Sequence, residues 1–274
     1  MELTKMVCGD GFNRFDGEVL HLTQATAVPF SVVNPTRLTV EVAAEVAGQL
    51  VLLHAQADQA TINVRLGEGA QLDVVELFTA EAFVELGIVQ ASHSRCTVTL
   101  AELASANLTC KIALNGAHAE NDVNGVFLVS HAEHAVVDVQ TTHRATDCRS
   151  KSLIKGVAAG SATGEFRGLV YVAPDAQRTD AQQQSRNIEL SDTAHITTRP
   201  QLEIYADDVK CSHGATVGQM DTEAILYMRQ RGLSEAQARA LQIEGFVGDV
   251  VQHCPIESLR EELMRLVTVK LENV

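Results

Sequence analysis

A mainly β fold, made of many short strands and closed by a small helical piece, is the class this sequence predicts. Three observations carry the expectation. Between about residues 38 and 218, short stretches rich in Val, Ile, Leu and Thr return roughly every 10–12 residues, several alternating strictly, as in Thr61-Ile62-Asn63-Val64-Arg65-Leu66. Small-residue turns punctuate them. After Gly218 the pattern changes to helical stepping framed by capping residues.

Taken in order, residues 1–37 hold two of the five prolines, Pro29 and Pro35, and read as a lead-in segment of one or two strands. Strand-like pieces then fall at 38–42, 61–66, 71–77, 97–100, 108–114, 125–129, 135–139, 168–172 and 201–205. Turns such as Gly67-Glu68-Gly69-Ala70, Gly160-Ser161-Ala162 and Ser191-Asp192-Thr193-Ala194 precede several of them. No long helical pattern separates the strands, which disfavours a doubly wound α/β sheet. A β-sandwich and a β-solenoid both accommodate this spacing, and the repeating turn–strand unit favours the solenoid. Beyond it, Asp221 caps a short helix that runs through Arg231 and stops at Gly232. Ser234 with Gln237 makes a capping box for a second helix, whose apolar positions Ala236, Ala240, Ile243, Val247, Val250 and Cys254 share one face. Pro255 ends it, and Leu259, Leu263 and Leu266 mark a third, followed by a tail with Val269 and Leu271. The expected organisation is 1–37, a β core at 38–218, and a helical subdomain at 219–274.

Composition removes whole classes of function. The 274 residues carry 21 Lys and Arg against 35 Asp and Glu, a net charge of −14, which argues against a nucleic-acid binder without excluding one small basic patch. Trp is absent and aromatics total 4%, a poor supply of stacking platforms for bases or sugars, so a carbohydrate-active β-solenoid is a weak alternative. No secretory signal is visible at the start. The most apolar stretch, near 42–57, is interrupted by Glu45, Gln49, His54 and Gln56 and falls short of the ~18 residues a membrane span needs. The six cysteines are scattered without close pairing and are expected to be reduced thiols in a cytoplasmic protein.

Few motifs carry chemistry. Gly156, Gly160, Gly164 and Gly168 fall four apart and read as tight turns. No glycine-rich loop ends in Gly-Lys-Ser/Thr, and no hydrolase nucleophile elbow exists. His93-x-x-Cys96 and His131-x-x-His134 have metal-like spacing, but on a strand residues three apart face opposite ways. Cys211-Ser212-His213 differs. If 205–211 runs extended, Cys211 and His213 share a face and can present sulfur and imidazole together, a pair suited to zinc or iron–sulfur chemistry. Without further context a buried thiol and a structural imidazole explain it more simply. The carboxylates Glu203, Asp207 and Asp208 read as a solvated face.

From Ser152 to about Val251 the sequence closely resembles the SufB/SufD family of iron–sulfur cluster assembly proteins. The residues that carry it are GEFRGLVYV (164–172), RTDAQQQSRNIELSD (178–192), RPQLEIYADDVKCSHGATVGQMD (199–221), AILYMRQRG (224–232) and SEAQARAL (234–241). The form KCSHGAT is similar to the SufD branch; SufB-type sequences look like Glu-His-Glu-Ala-Thr where this chain has Ser212-His213-Gly214-Ala215-Thr216. The resemblance implies a right-handed parallel β-helix with a C-terminal helical subdomain, which decides between sandwich and solenoid. It implies a non-enzymatic subunit of a SufB–SufC–SufD scaffold, pairing with a SufB-like paralogue through the β-helix and receiving a SufC-like ATPase on the helices, or forming a homodimer when alone. It also implies that His213, with Cys211 beside it, contributes to a transient iron–sulfur cluster at the SufB interface, and that the isolated chain carries no cofactor. Imidazole that binds iron through one nitrogen needs an acceptor for the other, and Asp207 or Asp208 is the expected one. Members often have an additional helical N-terminal domain, of which at most a remnant is expected here.

Overall fold

The computed structural model describes residues 2–271, so Met1 and residues 272–274 of the expected terminal segments lie outside the described residues. In chain order the strands are β1 (Asn13–Arg14), β2 (Val19–Leu22), β3 (Phe30–Val33), β4 (Arg37–Val42), β5 (Ala47–His54), β6 (Asp58–Leu66), β7 (Gln71–Phe78), β8 (Ala82–Gln90), β9 (Arg95–Glu102), β10 (Ala106–Leu114), β11 (Glu120–Val129), β12 (His134–His143), β13 (Arg149–Ala158), β14 (Thr163–Val172), β15 (Thr179–Glu189), β16 (His195–Ile204) and β17 (Val209–Gly218). The helices are α1 (Glu2–Val7), α2 (Thr222–Gln230), α3 (Glu235–Gln252) and α4 (Glu257–Leu271).

Odd-numbered strands form one sheet and even-numbered strands another, and every pairing is parallel. Successive strands therefore cross from sheet to sheet, and each pair of strands is one coil of a flattened parallel β-helix. The coil advances 24 residues from Ala47 to Gln71 and again to Arg95, then 29 from Glu120 to Arg149 and 31 from Arg149 to Asp180. The sequence spacing was thus half a coil. Winding starts before residue 38: β2 pairs with β4 and β3 with β5, so most of the lead-in segment already belongs to the two sheets.

One turn column holds the coils together along an edge. Glu45, Gly69, His93, His118, Asp147 and Arg178 all adopt left-handed φ near +60°. Each donates its backbone N–H to the carbonyl before its counterpart in the next coil: Glu45 to Glu68, Gly69 to Ser92, His93 to Ala117, His118 to Thr146, Asp147 to Gln177 and Arg178 to Asp208. The left-handed conformation costs about 1 kcal/mol or more at each non-glycine residue, and the repeated hydrogen bond from coil to coil offsets it.

Alternate residues of both sheets point inward and form the main core, including Leu50, Leu52, Val74, Phe78, Val98, Phe127, Ile62, Leu86 and Phe166. The opposite face of the odd-numbered sheet is buried as well. Val51, Leu53, Val75, Leu77, Val126, Leu128 and Val157 pack against Ile243, Val247 and Val250 of α3 and Leu259, Leu263 and Val267 of α4. Most of the apolar helix stripes read from the sequence are used here, at about 1.5–3 kcal/mol per fully buried aliphatic side chain. At the start of α3, Ala236 is exposed and Ala240 half-buried, and Ala238 is the buried alanine. Leu266 is only half-buried, and Val267 takes the place expected for it. Lys155 on β13 adds a polar clip. Its ammonium donates to the Phe246 carbonyl and to Asp249 of α3 and lies over the Phe246 ring.

Candidate functional site

The last coil is open. β17 pairs only with β15, and β16 only with β14, so two strand edges are unpaired at this end. In β15 the residues Ala181, Gln183, Ser185 and Asn187 are buried in the interior, and their register partners in β17 are Cys211, His213, Ala215 and Val217. Period-2 geometry puts those four on the inner face too. Cys211 and His213 therefore share a face, as the sequence implied, but no further coil covers them. Cys211 is half-buried against a small apolar cluster of Val170, Val172, Ala176 and Ala181, and His213 is exposed. Ile204, Tyr205 and Val217 add exposed apolar surface around this end.

Burial pushes the Cys211 thiol up. The Ala181 backbone partly opposes that, and the Asp180 charge adds to it. The group is a neutral thiol at pH 7, so binding a soft metal requires it to lose a proton. The His213 imidazole makes no hydrogen bond among the described residues. The expected acceptors do not reach it: Asp208 is held in the turn column, its N–H donating to Gln177 and its carbonyl accepting from Arg178, and Asp207 bonds neither His213 nor any other described residue. These two residues lie in the turn before β17, and the extended strand carries His213 away from them, which is why proximity in sequence misled.

The coil beneath is a feature sequence reasoning missed. Gln183, in register with His213, is buried with its amide wedged into the space left by Gly168, and its Oε1 has no partner. Ser185 and Asn187 beside it on β15, with Ser150, Ser152 and Asn121 on the coils further in, make the interior polar, whereas the earlier coils are lined mostly by Leu, Val and Ile. His143 pairs its Nε2 with Ser150 Oγ at 2.9 Å, and burial lowers its pKa to about 4, so it is a neutral imidazole. The polar lining coincides with the longer coils.

No group of three or more His, Cys, Asp or Glu that could hold a metal occurs among the described residues. Cys211 and His213 are at most two donors. The other metal-like spacings separate: His93 is exposed in the turn column and stacks on His118 at 4.9 Å, while Cys96 is buried in the core. His131 meets Ser130 and His134 meets Thr163. Of the four spaced glycines only Gly160, at φ +66°, is a turn residue. A Cβ at Gly156 or Gly164 would strike the Phe127 ring, and one at Gly168 the Gln183 amide. All six cysteines are free, and no described helix is long and apolar enough to cross a membrane.

A family model described as "SUF system FeS cluster assembly, SufBD core domain" matches residues 26–246. Among curated proteins, the chain is 36% identical over 160 residues to the iron–sulfur cluster assembly protein SufD of Escherichia coli, covering 58% of this chain and 37% of that protein. It is 39% identical over 137 residues to a SufBD family iron–sulfur cluster assembly protein of Synechocystis, covering 50% and 29% respectively. A SufBD family protein of Mycobacterium leprae is 26% identical over 277 aligned positions, covering 90% of this chain and 69% of its own length. The match spans about a third of the first two relatives.

Proposed function

The chain belongs to the SufBD core family of SUF-system iron–sulfur cluster assembly proteins, and on that premise we propose that it is a SufD-like subunit of a SufB–SufC–SufD scaffold with no turnover of its own. The single observation that carries the reading is the open coil. Its two unpaired edges and exposed apolar rim require a partner, and a paralogous β-helix is built to supply matching strands.

In this reading the cluster is cargo. Cys211 and His213 supply two of its protein donors, and the SufB-like subunit supplies the rest, in keeping with the absence of a three-donor group among the described residues. The thiol gives up its proton as iron binds, and neutral imidazole binds through one ring nitrogen. The SufC-like ATPase docks on the helical piece. The inward stripes of α3 and α4 are occupied by the sheet, so its contact falls on the outward surface, where Leu226, Tyr227 and Leu241 are each more than half exposed. A second copy of the chain occupies the open coil when no paralogue is present. A purely structural pairing role is the competing reading, favoured by the neutral state of Cys211.

The test is Ala215→Arg, which places a long cation on the inner face of β17 where no described atom is displaced. Co-expressed anaerobically with SufB-like and SufC-like partners, the variant should keep its melting temperature and lose co-purification with the SufB-like subunit. Unchanged co-purification would place the paralogue elsewhere.

A further inference from the structure

The chain carries a net charge of −14, yet one groove on its surface contains no carboxylate. It lies on the outer face of the even-numbered sheet, away from the helices and from the open coil, with a volume of about 350 Å³. Two neighbouring columns build it. In one, Asn63, Gly87, Lys111 and Gln140 are in register; in the other, Arg65, Val89, Ala113 and Thr142. The floor is made of short residues, Gly87, Ala113 and Thr142. A Cβ at Gly87 would come within 3.3 Å of the Asn63 Oδ1, so the glycine keeps the groove open.

Three long cations stand around that floor: Arg65 on β6, Lys111 on β10, and Arg144 just past the end of β12. Several cations elsewhere on the surface are matched, Arg149 with Glu120, Arg167 and Arg199 with Glu165, and Arg178 with Asp147, and others such as Arg37 stand alone among the described residues; the groove differs in gathering three cations around one floor with no carboxylate in its lining. Lys111 and Arg144 have no ion-pair partner among the described residues. Arg65 reaches Glu41 only at 3.7 Å, and the nearby Asp138 is engaged by the Gln140 amide. Leaving cations unmatched on an acidic protein favours an anion from outside.

We propose that this groove binds a small polyanion, a compound with two or more phosphate or carboxylate groups. Adjacent strands are about 4.8 Å apart, so β6 to β12 spans about 14 Å, more than one phosphate covers. Arginine engages either anion through paired N–H donors, lysine as a point charge, and Asn63 and Thr142 add neutral donors. The site is independent of the cluster reading and of the open coil.

The test is a titration of the isotope-labelled full chain with inorganic pyrophosphate and, separately, citrate, at constant ionic strength. Saturable shifts centred on Asn63, Gly87, Lys111 and Thr142 are expected with at least one of them. Pyrophosphate alone assigns phosphate chemistry, citrate alone carboxylate chemistry, and both assign charge without selectivity. The exposed double variant Lys111→Ala/Arg144→Ala should keep its melting temperature and weaken binding at least about tenfold, roughly 1.4 kcal/mol. Arg37→Ala, an exposed cation outside the groove, should change it less than about twofold. Three results would overturn the proposal: no saturation with either anion, shifts spread over all surface cations, or undiminished binding by the double variant. So would binding of an acidic peptide where both small anions fail.

Discussion

At the scale of single residues, the interior of the early coils holds charges in an awkward place. Glu102 is fully buried between Phe78 and Phe127 in its column, and neither carboxylate oxygen has a partner. Burial pushes its carboxyl well above the usual range, and the neighbouring Glu76 adds to the shift. His54 lies between Asp58 and Glu76, 3.2 Å from each, and stacks on Phe78. Burial opposes its charge, but the carboxylates of Glu76 and Asp58 prevail and its pKa is raised. Both folded values lie above the unfolded ones. Their contribution to stability is complete below the unfolded pKa and is lost as pH rises through the folded value. Thermal stability should therefore be lower at pH 8 than at pH 5. Glu102→Gln should flatten that slope and stabilise the chain at pH 8 by about 1–3 kcal/mol, since a neutral amide needs no proton. Melting curves at both pH values check this; a lower midpoint for the variant at pH 8 would contradict it. At the same scale, Gly156→Ala should cost about 1–3 kcal/mol by pressing on Phe127. The glycine spacing was visible in the sequence and its purpose was not, because the ring that needs the space belongs to the previous coil.

Most elements with one wet face were legible, although β8, whose run Ala82–Gln90 alternates in the same way, was passed over. β6, with strict alternation of buried and exposed positions, and the caps Asp221 and Ser234–Gln237 all stand where the sequence put them. β5, which escaped notice, has a run, Leu50–Leu53, that is buried on both faces, inside the coil and under the helices, which erases the period of two. β7 and β9 are buried in the same way and were still read, so this weakens the signal without abolishing it. β15 escaped for the opposite reason: its inward positions are Ala181, Gln183, Ser185 and Asn187, and a polar interior looks like a loop. The same blindness hid Gln183 beneath His213, since the coil advance that pairs them is set by turn lengths, not by a local pattern. The sequence did mark β17 itself, through the resemblance of KCSHGATVG to the SufD branch. Two predictions belong here. Lys155→Met removes the clip to Phe246 and Asp249 and should cost about 1–3 kcal/mol, read most directly as faster amide exchange in the last turns of α3. Leu226→Asp with Tyr227→Ser should abolish SufC-like ATPase binding in pull-downs while changing stability by no more than about 0.5 kcal/mol. Intact ATPase binding would move the docking surface off α2.

As a whole molecule, the protein is covered along its odd-numbered sheet and unequal at its two ends. Each coil buries the one before it, and α3 and α4 cover the odd-numbered sheet. Both ends leave strand edges unpaired, but β1 and β2 are only 2 and 4 residues long, whereas β16 and β17 of the last coil present 10 residues each. The helices are therefore not a detachable appendage, as the change of texture after Gly218 suggested. Truncation there would expose Val51, Leu53, Val75, Leu77, Val126 and Leu128 together, and the truncated chain should aggregate rather than persist as a free β-helix. The coils also lengthen and turn polar toward the open end, so the surface offered to a partner is an unfinished polar interior with a thiol and an imidazole on it. Cluster assembly at that end is the central claim. Its most direct test is iron and acid-labile sulfide per anaerobically reconstituted complex, with wild-type, His213→Ala and Cys211→Ala chains. The account predicts intact complexes in all three and a severe loss of both elements in His213→Ala, with Cys211→Ala also reduced. Full cluster content in a well-folded His213→Ala complex would contradict it.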